Sequence, residues 1–190
     1  MTTNLIAPPA VEPLTVAELK AWSRIDHDAE DSLLAGLISA ARDYVERHVG
    51  AQLITQTWQV QTDAFPPYRG VLELPLRPVQ AITAVSYTDL DEQPATLDPA
   101  TLTVVADEFS TLVTPADAWP LAYLAPGAVT ITATVGYGDA ATNVPATLRQ
   151  AISLIAAHWS ENREESTPLQ MRQIPMGAER LMALHRVPQV

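Results

Sequence analysis

Residues 29–62 read AEDSLLAGLISAARDYVERHVGAQLITQTWQVQT, and within this stretch the spacing of apolar residues changes once. Up to residue 49, Leu33, Leu34, Leu37, Ile38, Ala41, Tyr44, Val45 and Val49 recur at helical intervals, and Gly50 stands where a helix takes its C-terminal stop. The spacing predicts a helix over about residues 29–49, roughly 30 Å long at 1.5 Å per residue. From Leu53 the period falls to two and β-branched residues accumulate, which predicts strands. A long helix that gives way to a β segment makes the fold class α+β.

On the N-terminal side, Asp26-His27-Asp28 breaks helical periodicity, and Asp28, with Asp31 three residues on, is placed to cap the long helix. Thr15-Val16-Ala17-Glu18 is a capping box, and Leu14 with Leu19 makes a hydrophobic staple. These signals predict a short helix over about residues 15–25, with Leu19, Trp22 and Ile25 facing inward. Residues 1–13 contain Pro8, Pro9 and Pro13 and lack periodicity. They read as an extended arm lying on the surface or on a neighbour.

On the C-terminal side, the β insert runs over about residues 53–137, punctuated by Pro66-Pro67, Arg69-Gly70, Pro75, Pro78 and Pro94. Its clearest strand is Val129 to Val135, with Val, Ile and Ala on one face and only threonine on the other. Thr57 to Thr62 and Val79 to Tyr87 follow the same rule. Val71 to Leu74, Thr101 to Val105 and Thr111 to Val113 are shorter candidates. About six strands suffice for a small antiparallel sheet or sandwich. Asn143-Val144-Pro145 then opens a third helix over about residues 145–162, whose stripe of Leu148, Ile152, Ile155, Ala156 and Trp159 should pack against the long helix. After a polar linker, Glu164 to Pro168, a tail over residues 166–190 carries a short amphipathic segment with Leu181 and Leu184, too short to fold alone.

The chain therefore reads as an arm, residues 1–13, a single domain, residues 14–165, and the tail. The domain is a helical core, two N-terminal helices and one C-terminal helix, with an inserted small antiparallel β-sheet or sandwich and an extended C-terminal tail.

Composition narrows the chemistry. Apolar residues make 47% of the chain and charged residues 17%, enough apolar surface to offset the entropy of folding. Cysteine is absent, which removes disulfides, thiolate metal sites and cysteine nucleophiles together. A net charge of −11 argues against a general grip on nucleic-acid phosphates. The charge is uneven: residues 61–140 hold ten acids and two arginines, residues 141–190 four acids and five arginines. No apolar run approaches the roughly 20 residues of a membrane-spanning helix, and the first residues lack signal-peptide order. The expectation is a soluble protein, made in the cytoplasm and without membrane contact.

Asp26, His27, Asp28, Glu30 and Asp31 carry metal-ligand chemistry on paper, and a metal-dependent hydrolase built on Asp26, His27, Asp28 and Asp31 is one alternative. Acids at a helix N-terminus explain the same residues through the helix dipole, at about 0.3–1 kcal/mol each. Gly136-Tyr137-Gly138-Asp139 lacks the third glycine of a dinucleotide fingerprint and reads as a turn leaving the sheet. His48, His158 and His185 have no partner at motif spacing, and Glu161, Glu164 and Glu165 fall at a helix end beside Arg163. The reading assigns no catalytic residue, no metal ligand and no cofactor. Trp22, Trp58, Trp119 and Trp159 are spread over all regions, and Trp119, beside Pro120, is expected to be the most exposed. A sugar-binding platform of Trp119, Tyr123 and Tyr137 is disfavoured by the helical core ahead of the sheet.

In order along the chain stand Pro13-Leu14-Thr15, then Val45-Glu46-Arg47-His48-Val49-Gly50, then Leu74-Pro75-Leu76-Arg77-Pro78-Val79 before Val85-Ser86-Tyr87-Thr88-Asp89. Trp119-Pro120, Val135-Gly136-Tyr137-Gly138, Val144-Pro145-Ala146-Thr147-Leu148 and Gly177-Ala178-Glu179-Arg180-Leu181-Met182 follow. This order, over about residues 12–187, resembles the head-tail connectors (adaptors) of tailed phages, including the adaptors of gene transfer agents. The departures are Asp91-Glu92-Gln93, where a hairpin glycine is expected, and the proline-rich arm.

The resemblance implies a ring of about twelve identical subunits at the neck of a virion or phage-like particle. Such a ring sits between the portal protein and a downstream stopper or other tail-side neck protein, and double-stranded DNA passes through its lumen without sequence-specific binding. It also implies portal contact through the tail, for which Ile174, Met176, Leu181, Leu184 and Arg186 are the candidates, the tail ordering on docking because it lacks a partner in its own chain. Trp119, Tyr123 and Tyr137 are candidates for ring or neck contacts. Another neck or tail-completion protein of the same particle is the nearest alternative.

Overall fold

The computed structural model describes residues 1–106, 109–162 and 174–186. In chain order its strands and α-helices are β1 (Thr2–Ala7), α1 (Val16–Ser23), α2 (Asp31–Val49), β2 (Gln56–Thr62), β3 (Leu72–Leu74), β4 (Val79–Thr88), β5 (Pro94–Leu97), β6 (Leu102–Ala106), β7 (Thr111–Pro115), β8 (Val129–Val135), α3 (Ala146–Glu161) and α4 (Met176–Ala183). They fall into two compact units, one of Met1–Ala10 with Thr55–Tyr137, the other of Val11–Ile54 with Gly138–Val190.

The first unit is all β. One antiparallel sheet has the strand order β1-β2-β8-β4-β5, the other β3-β7-β6. Strand β8 shows why the sheets close on each other. Its alternation places Val129, Ile131, Ala133 and Val135 in the interior, while Thr130, Thr132 and Thr134 stay half-buried on the opposite face. Val60 of β2 and Val85 of β4 meet them from the same sheet, and Leu72, Leu74 and Val113 from the other. Burying each such side chain contributes about 1.5–3 kcal/mol, so this shared interior is what holds the sandwich.

Residues 2–7 are a strand rather than an arm draped over the surface: β1 pairs antiparallel with β2, Thr2 opposite Gln61 and Leu5 opposite Trp58. All six residues of β1 are exposed, so its backbone hydrogen bonds rather than an apolar stripe place it, and hydropathy patterning could not find it. The β4–β5 turn has no glycine. Glu92 takes the left-handed conformation itself, φ 60°, and the Asp89 carboxylate accepts from the amides of Asp91 and Gln93 at 2.9 Å each. An Asx turn thus does the work expected of a glycine.

The second unit is helical. Thr15 and Glu18 close their capping box, with Glu18 N donating to Thr15 Oγ1 at 3.2 Å and Thr15 N to the Glu18 carboxylate at 2.8 Å. Leu34, Ile38, Ala41, Val45 and Val49 form the buried stripe of α2, and Gly50, φ 77°, ends the helix with its amide on Glu46 O at 2.8 Å. Helix α3 buries Leu148, Ile152, Ile155 and Ala156 and packs against α2.

Three expectations need correction here. Trp22 points outward, 51% exposed, because an eight-residue helix carries one buried position, Leu19, and no second turn of core lies beneath the indole. Asp28 does not cap α2, which starts at Asp31. Its carboxylate is held instead by Lys20 Nζ, which also donates to Asp31 at 2.8 Å, so one ammonium neutralises two acids. The amphipathic segment of the tail does have a partner in its own chain. Helix α4 packs on α3 through Ala178 and Met182, both fully buried, and Thr147 Oγ1 lies 2.7 Å from His185 Nε2. The linker expected at residues 164–168 lies outside the described residues.

Candidate interaction surfaces

The acidic stretch before α2 is tied to a cation rather than assembled as a ligand set. Hydrogen bonds from Lys20 to Asp28 and Asp31 raise the lysine above its ordinary value, and the same bond lowers Asp28. Among the described residues no group of three or more His, Asp or Glu is arranged to hold a metal ion. A shallow groove of about 260 Å³ is lined by Val11, Leu14, Val16, Ala35 and Ile38 with Glu12 and Thr15. Its charged member is already engaged, Glu12 accepting from Arg42 Nε at 2.8 Å.

That contact belongs to a network at the end of α2. Arg42 also donates to Glu46 at 2.7 Å, and the other oxygen of Glu46 accepts the Leu53 amide at 2.9 Å. Glu46 is buried, so its two partners compensate its desolvation. Burial alone would lower Arg42, but Glu46 and Glu12 together hold it above its ordinary value. This network fastens the chain leaving α2 to the segment entering α1.

The tail candidates divide by burial. Met176, Leu184 and Arg186 are exposed, while Ile174 and Leu181 are half-buried. Arg180 is also exposed, so α4 buries Ala178 and Met182 and shows solvent a mixed face of aliphatic and cationic side chains.

The sheet candidates divide as well. Trp119, expected to be the most exposed tryptophan, is 5% exposed. Its indole stacks on Phe65 with centroids 4.9 Å apart, its Nε1 donates to Gly70 O at 2.6 Å, and its backbone amide donates to Tyr68 O at 2.9 Å. Phe65 in turn meets Tyr87 edge-on at 5.5 Å. An indole whose N–H finds a carbonyl partner is readily buried, and a neighbouring proline does not by itself mark exposure. Tyr137 is half-buried, and Tyr123 is exposed.

What sequence reasoning missed lies next to Tyr123. Leu121 and Leu124 are 75% and 78% exposed, and Leu90 is exposed too. Tyr123 N donates to Thr88 O at 2.9 Å, which lays residues 121–124 alongside the end of β4 and its turn. The signal was a run of apolar residues, Leu121 to Ala125, with no strand alternation and no helical spacing.

The profile of the phage gp6-like head-tail connector proteins matches residues 13–112, just over half of the chain. Among solved structures, a chain from the virion of a native gene transfer agent particle is 25% identical, with a TM-score of 0.83 over 100% of this chain and 97% of that one. The neck of an empty gene transfer agent particle, computed with C6 symmetry, gives the same values. The neck of a native particle, computed with C12 symmetry, gives 24% identity and a TM-score of 0.74 over the same shares of the two chains. No curated protein matches. Among the described residues, no helix is long and apolar enough to cross a membrane. With the α+β fold matched from end to end, the chain belongs to the phage gp6-like head-tail connector family, and its role is that of a structural adaptor.

Proposed function

We propose that this chain forms a closed ring of about twelve copies in the neck of a phage or phage-like particle, between a portal protein and a tail-side neck protein. Double-stranded DNA passes through the ring without sequence-specific binding, and the subunit carries no catalytic activity. The observation that supports this most directly is the end-to-end likeness, at a TM-score of 0.83, to a chain from a gene transfer agent neck computed with C6 symmetry. A cyclic ring needs two different complementary faces on each subunit, and a helical unit and a β unit supply distinct surfaces. A net charge of −11 disfavours adhesion to passing DNA.

Portal contact runs through the exposed side of α4: Met176, Leu184 and Arg186, with the half-buried Ile174 and Leu181 at its margin. Deleting the tail would be a poor test, because α4 also covers α3. Met176→Glu with Leu184→Glu leaves Ala178 and Met182 in place. The expected result is a folded subunit that no longer docks on portal-bearing heads in a pull-down. Undiminished docking would refute portal contact through α4. Imaging of the particle neck tests the ring, its stoichiometry and its position together.

A further inference from the structure

We infer that the apolar tip of the β sandwich docks a segment of the tail-side neck protein in which aliphatic residues are flanked by Lys or Arg. This rests on the connector role proposed above. The tip is Leu90 from the β4–β5 turn with Leu121, Tyr123 and Leu124 from the crossing that leads into β8, all four exposed. Apolar side chains gathered in this way mark interaction sites on soluble proteins more often than scattered ones do.

The crossing is held at both ends. Trp119 is stacked on Phe65 and bonded to Gly70 O, and at the far end Gly127 N donates to the Asp63 carboxylate at 2.9 Å. Between them Tyr123 is bonded to Thr88, and Thr88 N donates to Ala128 O at 3.0 Å. A loop pinned at four points loses little further freedom on docking, which favours affinity.

Charge selects the occupant. Asp63, Asp89, Asp91 and Glu92 rim the tip, and residues 86–130 contain seven acids and no Lys or Arg. Arg69, a cation earlier in the same unit, is bonded to Asp117 O. A second copy presenting the same tip would meet like charge. A segment carrying Lys or Arg beside aliphatic residues satisfies both the apolar centre and the acidic rim.

The probes are two synthetic peptides with one leucine pattern, flanked by Lys in one and by Glu in the other, titrated into the full chain and followed by amide NMR shifts. The Lys peptide should perturb residues 88–92 and 119–128 and bind at least tenfold more weakly to Leu121→Asp/Leu124→Asp. Asp91→Lys/Glu92→Lys should shift preference toward the Glu peptide. All four positions are exposed, so these variants should keep the wild-type fold, which circular dichroism checks. Equal binding of both peptides, shifts confined to other surfaces, or self-association of the chain that Leu121→Asp/Leu124→Asp abolishes would each overturn the inference.

In particles, Leu121→Asp/Leu124→Asp should leave subunits on the heads while tails fail to join. Normal tails would overturn the docking inference and leave the connector role standing. Wild-type subunits absent from the neck would overturn both.

Discussion

Three side chains decide more than their positions suggest. Trp119 joins the sandwich interior to the crossing that carries Leu121 and Leu124. Trp119→Ala should cost about 3–5 kcal/mol in urea unfolding, typical of a buried tryptophan truncated to alanine. Trp119→Phe, which keeps a ring against Phe65 but orphans Gly70 O, should cost less. Glu46 is buried between Arg42 and the Leu53 amide. Glu46→Ala leaves a half-buried guanidinium short of one carboxylate and an amide without its acceptor, and should cost about 3 kcal/mol or more by the same measurement. Glu46→Gln retains an acceptor and should fall in between. At Glu92 the sign reverses: its φ of 60° strains any residue with a Cβ, so Glu92→Gly should raise stability by about 0.5–1 kcal/mol.

At the scale of elements, the entry to α1 couples to pH. Glu18 is lowered first by its bond to the Thr15 amide and then by the Thr15 hydroxyl, with Arg149 adding to both. Arg149 reaches Glu18 at 2.7 Å and Pro13 O at 2.9 Å, so α3 holds the start of α1 through one side chain. A carboxylate lowered on folding contributes stability that is present above its ordinary value and lost as pH falls through the folded one. Melting temperature should therefore drop below about pH 4.5, and Glu18→Gln should lower the plateau near neutrality and flatten that acid limb. Thr15→Ala removes the cap and should cost about 1 kcal/mol. Helix α4 rests on one large buried side chain, so Met182→Ala should cost about 2–5 kcal/mol and open α4 first, visible as faster hydrogen exchange over residues 176–183.

At the scale of the molecule, the sequence by itself determined the α+β class, the capping box, the buried stripes of α2 and α3 and the alternating faces of β8. Each rests on residues within about one helical turn or one strand of each other, where spacing alone dictates which face turns inward. The order of short motifs carried the family as well, because proline and glycine turns mark element ends locally. Tertiary structure decided the rest. Strand β1 has no apolar pattern and exists only because β2 offers a pairing edge. Trp22 and Trp119 exchanged their expected places, since exposure depends on what lies across from a side chain and not on its neighbours in sequence. Helix α4 gained a partner from α3, about thirty residues earlier in the chain, which turned a docking tail into a packed helix with one exposed side. The apolar tip formed where a crossing without periodicity met a turn some thirty residues earlier. Such juxtapositions depend on long-range closure, and local patterning holds no record of them.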